Sequence, residues 1–486
     1  MTKVETGPSL AGLVAAVERA RAAFDWEATL SYAAQILSRE GISPETTYAL
    51  LDAQAEAHER LGDLGAEEAD LAAMARLPGV ADNPERRAQV MVRQAGLWRR
   101  LGRVAESKDL ARAALEAARN RGATSLEAQA LLALSWASQV ESRFAEAREL
   151  AEQAAEQFRA LGDLLGEGQA LLSLSITNSR QEHVAEAAAQ AEAALGLFRR
   201  GGDREGEARA LNTLGIRSVD LAQRRHYYEQ ALVAYEALGD RRGQARVHNN
   251  LALTNQQVGL YALSGADALE AVEVVRPMGA RVDLAYYLDT LARAWLGRGD
   301  AARAESLFQE GLALSREVGD TSVEGFYILG LGRTAHTAGQ LAQAEAAYRA
   351  AADRFEILEI PGEQATCLAW LGAVWQEMGD AEAARAHTAE AISLLDRAAG
   401  VATEYPLQEI WWCRYRVLAA FPPASVSTAG AAQANDEAWV ALDRARAVML
   451  ASVANLSDDG LRRNFLNKVA VNRSIVTEWL HQATRR

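Results

Sequence analysis

Residues 281–320 read RVDLAYYLDTLARAWLGRGDAARAESLFQEGLALSREVGD. In the first half Leu288, Leu291, Ala292, Trp295 and Leu296 recur at steps of three and four, on one face of a helix, until Gly299-Asp300 interrupts them. In the second half Ala301, Ala304, Leu307, Phe308, Leu312 and Leu314 draw a second stripe, which stops at Val318-Gly319-Asp320. Glycine enters the left-handed conformation that ends a helix without strain, and the aspartate after it can cap the next helix by accepting a backbone N–H. These forty residues therefore predict a helical hairpin.

The same stops return along the chain. Leu161-Gly162-Asp163, Gly201-Gly202-Asp203 and Leu238-Gly239-Asp240 close earlier hairpins, and the inner stop recurs at Gly62, Gly102, Gly339 and Gly379. A fixed period near forty means that one copy cannot bury its apolar face alone, so copies must stack around a continuous core. Hairpins are predicted at 8–40, 44–78, 85–120, 124–161, 164–201, 204–238, 241–278, 281–318, 321–358 and 361–398. The fold class is all-α: a solenoid of about ten hairpins over 1–400, an atypical last repeat at 401–456 with a loop near 422–435, and a C-terminal capping or linker helix at 457–486. The copy at 204–240 is short, and Arg224-Arg225-His226-Tyr227-Tyr228 replaces its usual turn, which predicts a local kink. Small residues mark the close helix approaches, Gly215, Ala252, Ala292, Gly332 and Gly372 in first helices and Ala304, Ala344 and Ala384 in second ones.

Composition points the same way. Hydrophobic residues make up 49% of the 486 but aromatics only 6%, so the core is built from Ala and Leu at short helix separations. A net charge of −14 repels phosphate backbones and anionic bilayers, which disfavours nucleic acid and membrane as partners. The sequence lacks an apolar run long enough to span a bilayer, and Met-Thr-Lys-Val-Glu-Thr-Gly-Pro is unlike a signal peptide, so a cytoplasmic location is expected. Cys367 and Cys413 read as small core hydrophobes. Neither a glycine-rich phosphate loop nor a nucleophile elbow is present, and His58, His183, His226, His248, His336, His387 and His481 include no pair at metal-ligand spacing. The expectation is a protein that is not an enzyme and has no metal or cofactor.

Leu371-Gly372 with Trp375, Ala384 and Ala391, and Leu331-Gly332 with Ala344, Tyr348 and Ala351, resemble the tetratricopeptide repeat over nearly the whole chain. The period is about six residues longer than the family's basic unit, similar to the extended variety in cytoplasmic signalling scaffolds. The tail from Asp459-Gly460-Leu461-Arg462-Arg463-Asn464-Phe465 to Trp479-Leu480 resembles the segment that closes repeat regions in large bacterial signalling proteins, where cyclase, histidine kinase, small-ligand sensor or DNA-binding output domains follow. Leu461, Phe465, Leu466 and Val469 also share one face of an ordinary amphipathic cap. The resemblance implies a right-handed superhelix, and a sensory segment that stands alone or belongs to a longer protein.

It also implies where a ligand would lie. In this family the first helix of each hairpin forms the concave wall, and carrying over the positions around the Leu-Gly pair selects Arg209, Asn212, Arg246, Asn249, Gln256, Asp289, Arg293, Arg333 and His336. Asn and Gln suit a peptide backbone and Arg grips carboxylates, so the expected partner is a protein or peptide with an acidic segment. Polar residues there also serve solubility alone. The Lys-and-Asn arrangement with which some members clamp a C-terminal carboxylate is not reproduced. The leading expectation is a non-catalytic binding scaffold in bacterial signal transduction. The alternatives are a small-molecule or signal-peptide sensor coupled to an output domain, and an oligomerisation spacer that self-associates.

Overall fold

The computed structural model describes residues 9–181, 183–397, 403–421 and 428–485. Helices follow one another in antiparallel pairs: α1 Leu10–Ala22 with α2 Trp26–Leu37, then α3 Pro44–Leu61 with α4 Leu64–Arg76. A single turn, α5 Pro78–Ala81, leads to α6 Pro84–Arg100 with α7 Val104–Arg121 and α8 Thr124–Val140 with α9 Phe144–Leu161. Next come α10 Leu164–Arg180 with α11 Val184–Gly201, and α12 Arg204–Arg217 with α13 Leu221–Ala237. The series continues as α14 Arg241–Gln257 with α15 Tyr261–Val275, α16 Arg281–Gly297 with α17 Ala301–Val318, α18 Thr321–Thr337 with α19 Leu341–Ile357, and α20 Pro361–Met378 with α21 Ala381–Arg397. It ends with α22 Leu407–Ala420, α23 Thr428–Ala454, α24 Asp459–Asn467 and α25 Ala470–Ala483. Among the described residues there are no strands, and no helix is long and apolar enough to cross a membrane.

The local chemistry of the stops sets these boundaries. Gly299 and Gly319 adopt φ of 85° and 75°, where other residues are strained, and Asp300 and Asp320 cap α17 and α18 by accepting from the amides of Arg303 (3.1 Å) and Val323 (3.0 Å). The seam within each hairpin is alanine: Ala147, Ala151 and Ala154 of α9 and Ala187, Ala191 and Ala194 of α11 are fully buried. Four junctions between hairpins are closed by a ring near the end of the second helix, Phe158 of α9, Phe198 of α11, Tyr235 of α13 and Phe355 of α19. Phe198 packs where Gly206 opens the next first helix, so that a methyl added at Gly206 would overlap it. Cys367 and Cys413 are buried free thiols of a separate cluster with Tyr348 and Trp370.

Two compact units result, one of residues 1–218 with 224–247 and one of 219–223 with 248–486. The first helix before this division, α12, has 14 residues against 17 in α10. The N-terminal unit folds back on itself. Trp26 at the start of α2 donates its indole N–H to the carbonyl of Leu238 at 2.8 Å, and Arg60 of α3 pairs with Glu205 of α12 at 2.5 Å.

Within the C-terminal unit two expectations are corrected. The stretch expected to be loop to residue 435 is helical from Thr428, because its run of alanines carries the strongest intrinsic helix preference; 422–427 lie outside the described residues. The expected single helix at 457–486 is two, α24 and α25, broken at Lys468–Val469. There the backbone passes close to Gly259, and Asn472 donates to the carbonyl of Phe465 (2.9 Å) while accepting from Gln408 (2.9 Å).

Candidate functional site

Five first helices are followed by a residue with positive φ at Gly102, Ser142, Gly259, Gly299 and Gly339, whereas α12 ends on Ser218 at φ −68°; counting back seven from the five gives Ala95, Ser135, Ala252, Ala292 and Gly332, the small residue of the hairpin seam. Side chains at fixed offsets from it share one wall. In the C-terminal unit that wall is covered by the chain itself. Arg293 of α16 is 8% exposed and binds Asp289 at 2.8 Å and Glu404 at 3.1 Å. The backbone N–H of Glu404 donates to Glu363 of α20 at 2.7 Å. The Tyr405 ring lies 5.6 Å from the Arg293 guanidinium, 5.2 Å from that of Arg333, and edge-on to Trp370 at 5.2 Å. Arg333 stacks 4.2 Å above Trp370 and reaches Glu409 at 4.0 Å.

Burial dominates the electrostatics of this cluster. It pushes Asp289 up to about 6 against the pull of Arg293, and Glu363 up to about 7. Burial alone would lower Arg293, but Asp289, Tyr405 and Glu404 hold it above its ordinary value. His336 faces Glu377 at 3.3 Å and the Tyr348 hydroxyl at 3.3 Å, and burial keeps it below the usual histidine range. Four of the nine expected residues, Asp289, Arg293, Arg333 and His336, therefore engage partners of their own unit. Asn249 is buried with its side-chain oxygen unbonded, and Gln256 is half-buried on the same helix, α14.

The N-terminal unit holds the other three, Arg209, Asn212 and Arg246. Arg246 donates to the Tyr235 hydroxyl at 3.1 Å and Asn212 is buried. Arg209 of α12 lies 5.9 Å from the ring of Trp136 on α8, and Arg99 of α6 lies 5.6 Å from the same ring. Neither Arg99 nor Arg209 has a carboxylate within ion-pair distance among the described residues. Among those residues no group of three His, Cys, Asp or Glu side chains is arranged to hold a metal.

No protein-family model and no curated protein sequence matches the chain. Solved structures do. A Rap protein complexed with competence and sporulation factor aligns with a TM-score of 0.51 at 12% identity, over 74% of this chain and 98% of that one. The apo quorum sensor NprR from B. thuringiensis aligns with a TM-score of 0.50 at 10% identity, over 72% and 98%. The likeness is one of fold, and it agrees with the paired helices and their forty-residue register. The fold is a helical repeat of the tetratricopeptide type.

Tetratricopeptide register also accounts for what the sequence selection passed over. Arg99 is four residues after Ala95, the offset of Gln256 and His336 from their small residues, and Trp136 directly follows Ser135, the offset of Arg293 and Arg333. Both belonged to the wall by register but lay outside the four hairpins on which the selection concentrated. The covering residues Glu404, Tyr405 and Glu409 lie beyond the periodic text, with no local signal to place them.

Proposed function

We propose that the chain is a non-catalytic, peptide-binding scaffold with a regulatory role, and that it receives an extended ligand on the first-helix wall. One observation carries this reading. Within the C-terminal unit the wall already receives a non-helical segment of the chain, Thr403 to Pro406, by the means expected for a ligand: an Arg–carboxylate pair, a backbone N–H bond and an aromatic ring among guanidinium groups. The regulatory part is supported by the fold shared with a Rap protein complexed with competence and sporulation factor and with the quorum sensor NprR. The wall of the N-terminal unit, with Arg209, Asn212 and Arg246, is the proposed ligand surface.

The test is peptide display. Twelve-residue random peptides panned against the full chain should yield binders whose affinity, read by fluorescence anisotropy, drops at least tenfold in the double variant Arg209→Ala with Asn212→Ala. Failure to select any peptide, or selected peptides indifferent to this variant, sinks the reading.

A further inference from the structure

We propose that Arg99, Trp136 and Arg209 form an anion-binding subsite in the N-terminal unit, which takes the carboxylates of an acidic peptide segment. The inference rests on the peptide-binding reading and adds to it the chemistry of the ligand.

Three first helices of different hairpins, α6, α8 and α12, bring these side chains together from 110 residues of chain, since 209 − 99 = 110. Both guanidinium groups lie within cation–π range of one indole. Trp136 thus holds two like charges on one surface, where they would otherwise move apart. The neighbouring acids are already committed: Glu59 and Glu67 pair with Arg100, and Glu205 pairs with Arg60. Arg99 Nε is buried and bonds to nothing. Burial, with Arg100, Arg209 and Arg242 adding repulsion, pushes the Arg99 guanidinium down to about 10, so the charge is held against an unfavourable environment. Arg217 of the same unit is also sheltered and without a carboxylate in ion-pair distance among the described residues, but it donates to the Ser179 hydroxyl. Uncompensated charge on a preformed wall costs stability in the free protein and is repaired when an anion arrives. The C-terminal unit shows the completed arrangement, with Glu404 on Arg293 and an aromatic side chain alongside.

The proposal separates from simple packing. If the two arginines only cover Trp136, their loss lowers the melting temperature; if they await an anion, Arg99→Gln with Arg209→Gln leaves it unchanged or raises it. Three hexapeptides that alternate tyrosine with glutamate, serine or lysine, and inorganic pyrophosphate, are titrated calorimetrically into the full chain and into this double variant. The expected result is binding of the glutamate peptide at least tenfold tighter than the serine peptide and absent for the lysine peptide. That binding should weaken at least tenfold in the variant and fall with added salt. Equal binding of serine and glutamate peptides, or an unaffected variant, overturns the subsite and leaves peptide binding standing. Pyrophosphate binding that depends on both arginines, with no peptide bound, overturns the carboxylate proposal and the peptide reading together in favour of a free-anion site. A silent titration with all four probes overturns both.

Discussion

At the scale of single residues the C-terminal unit places acids where burial opposes their charge. Glu363 is 3% exposed; one carboxylate oxygen accepts from the Glu404 amide and the other bonds to nothing. Its folded-state pKa, raised by burial to about 7 from an ordinary value near 4.5, means that the folded chain holds this proton where the unfolded chain has released it. The stability attached to the group is therefore greatest below about pH 4.5 and is lost as the pH climbs towards 7. The hydrogen bond from the Glu404 amide and the charge of Arg293 oppose the effect, while the Glu404 and Asp289 carboxylates strengthen it. Glu363→Gln keeps the acceptor and removes the charge. We predict that chemical denaturation of the variant matches the natural chain at pH 4.5 and exceeds it by about 2 kcal/mol at pH 8, somewhat less than the full shift converted at 1.36 kcal/mol per unit. Equal stability at pH 8 would show that the carboxylate is compensated in the fold.

Helices and hairpins were the scale most legible in the sequence, because what ends them is local. Gly299, Gly319 and their capping aspartates carry their own instructions, and the alanine seam follows from period alone. The break at Lys468–Val469 was not legible: neither glycine nor proline marks it, and the backbone there packs closely against Gly259, some two hundred residues away. Nor could the text show that Glu404 and Tyr405 return to Arg293, since that depends on tertiary closure. The polar wall residues read from the sequence carried no sign of which would pair with other parts of the chain, as Arg293 does with Glu404. Close approach at the hairpin junction gives a further prediction. Gly206→Ala drives a methyl into the Phe198 ring within a tightly packed seam, and should cost on the order of 1–3 kcal/mol in thermal or urea unfolding. Adding Phe198→Leu should recover part of that loss. A fully tolerated Gly206→Ala would mean that α11 and α12 adjust their spacing freely.

At the scale of the whole molecule, each tetratricopeptide-type repeat ordinarily touches only its neighbours, so stability is a sum of local terms. The N-terminal unit departs from that rule where hairpins distant in sequence meet. Residues 212 apart meet when Trp26 donates to Leu238, and Gly239 approaches the same indole, while Arg60 of α3 closes on Glu205 of α12. This contact joins the first hairpin to the sixth. It lies beside the wall that carries the proposed ligand surface, because Glu205 and Arg209 are one turn apart on α12. Trp26→Phe retains an aromatic ring but removes the donor, leaving the Leu238 carbonyl without this bond; the expected loss is about 1–2 kcal/mol. A local defect would raise hydrogen exchange only in α2. A closure contact should raise it together in α1, α2 and the end of α13, because release at either partner frees both, while α8 and α9 in the middle of the unit keep their protection. Exchange confined to α2 would show that the far hairpins are held by their neighbours alone, and that the curvature bringing Arg99 towards Arg209 comes from the repeats themselves.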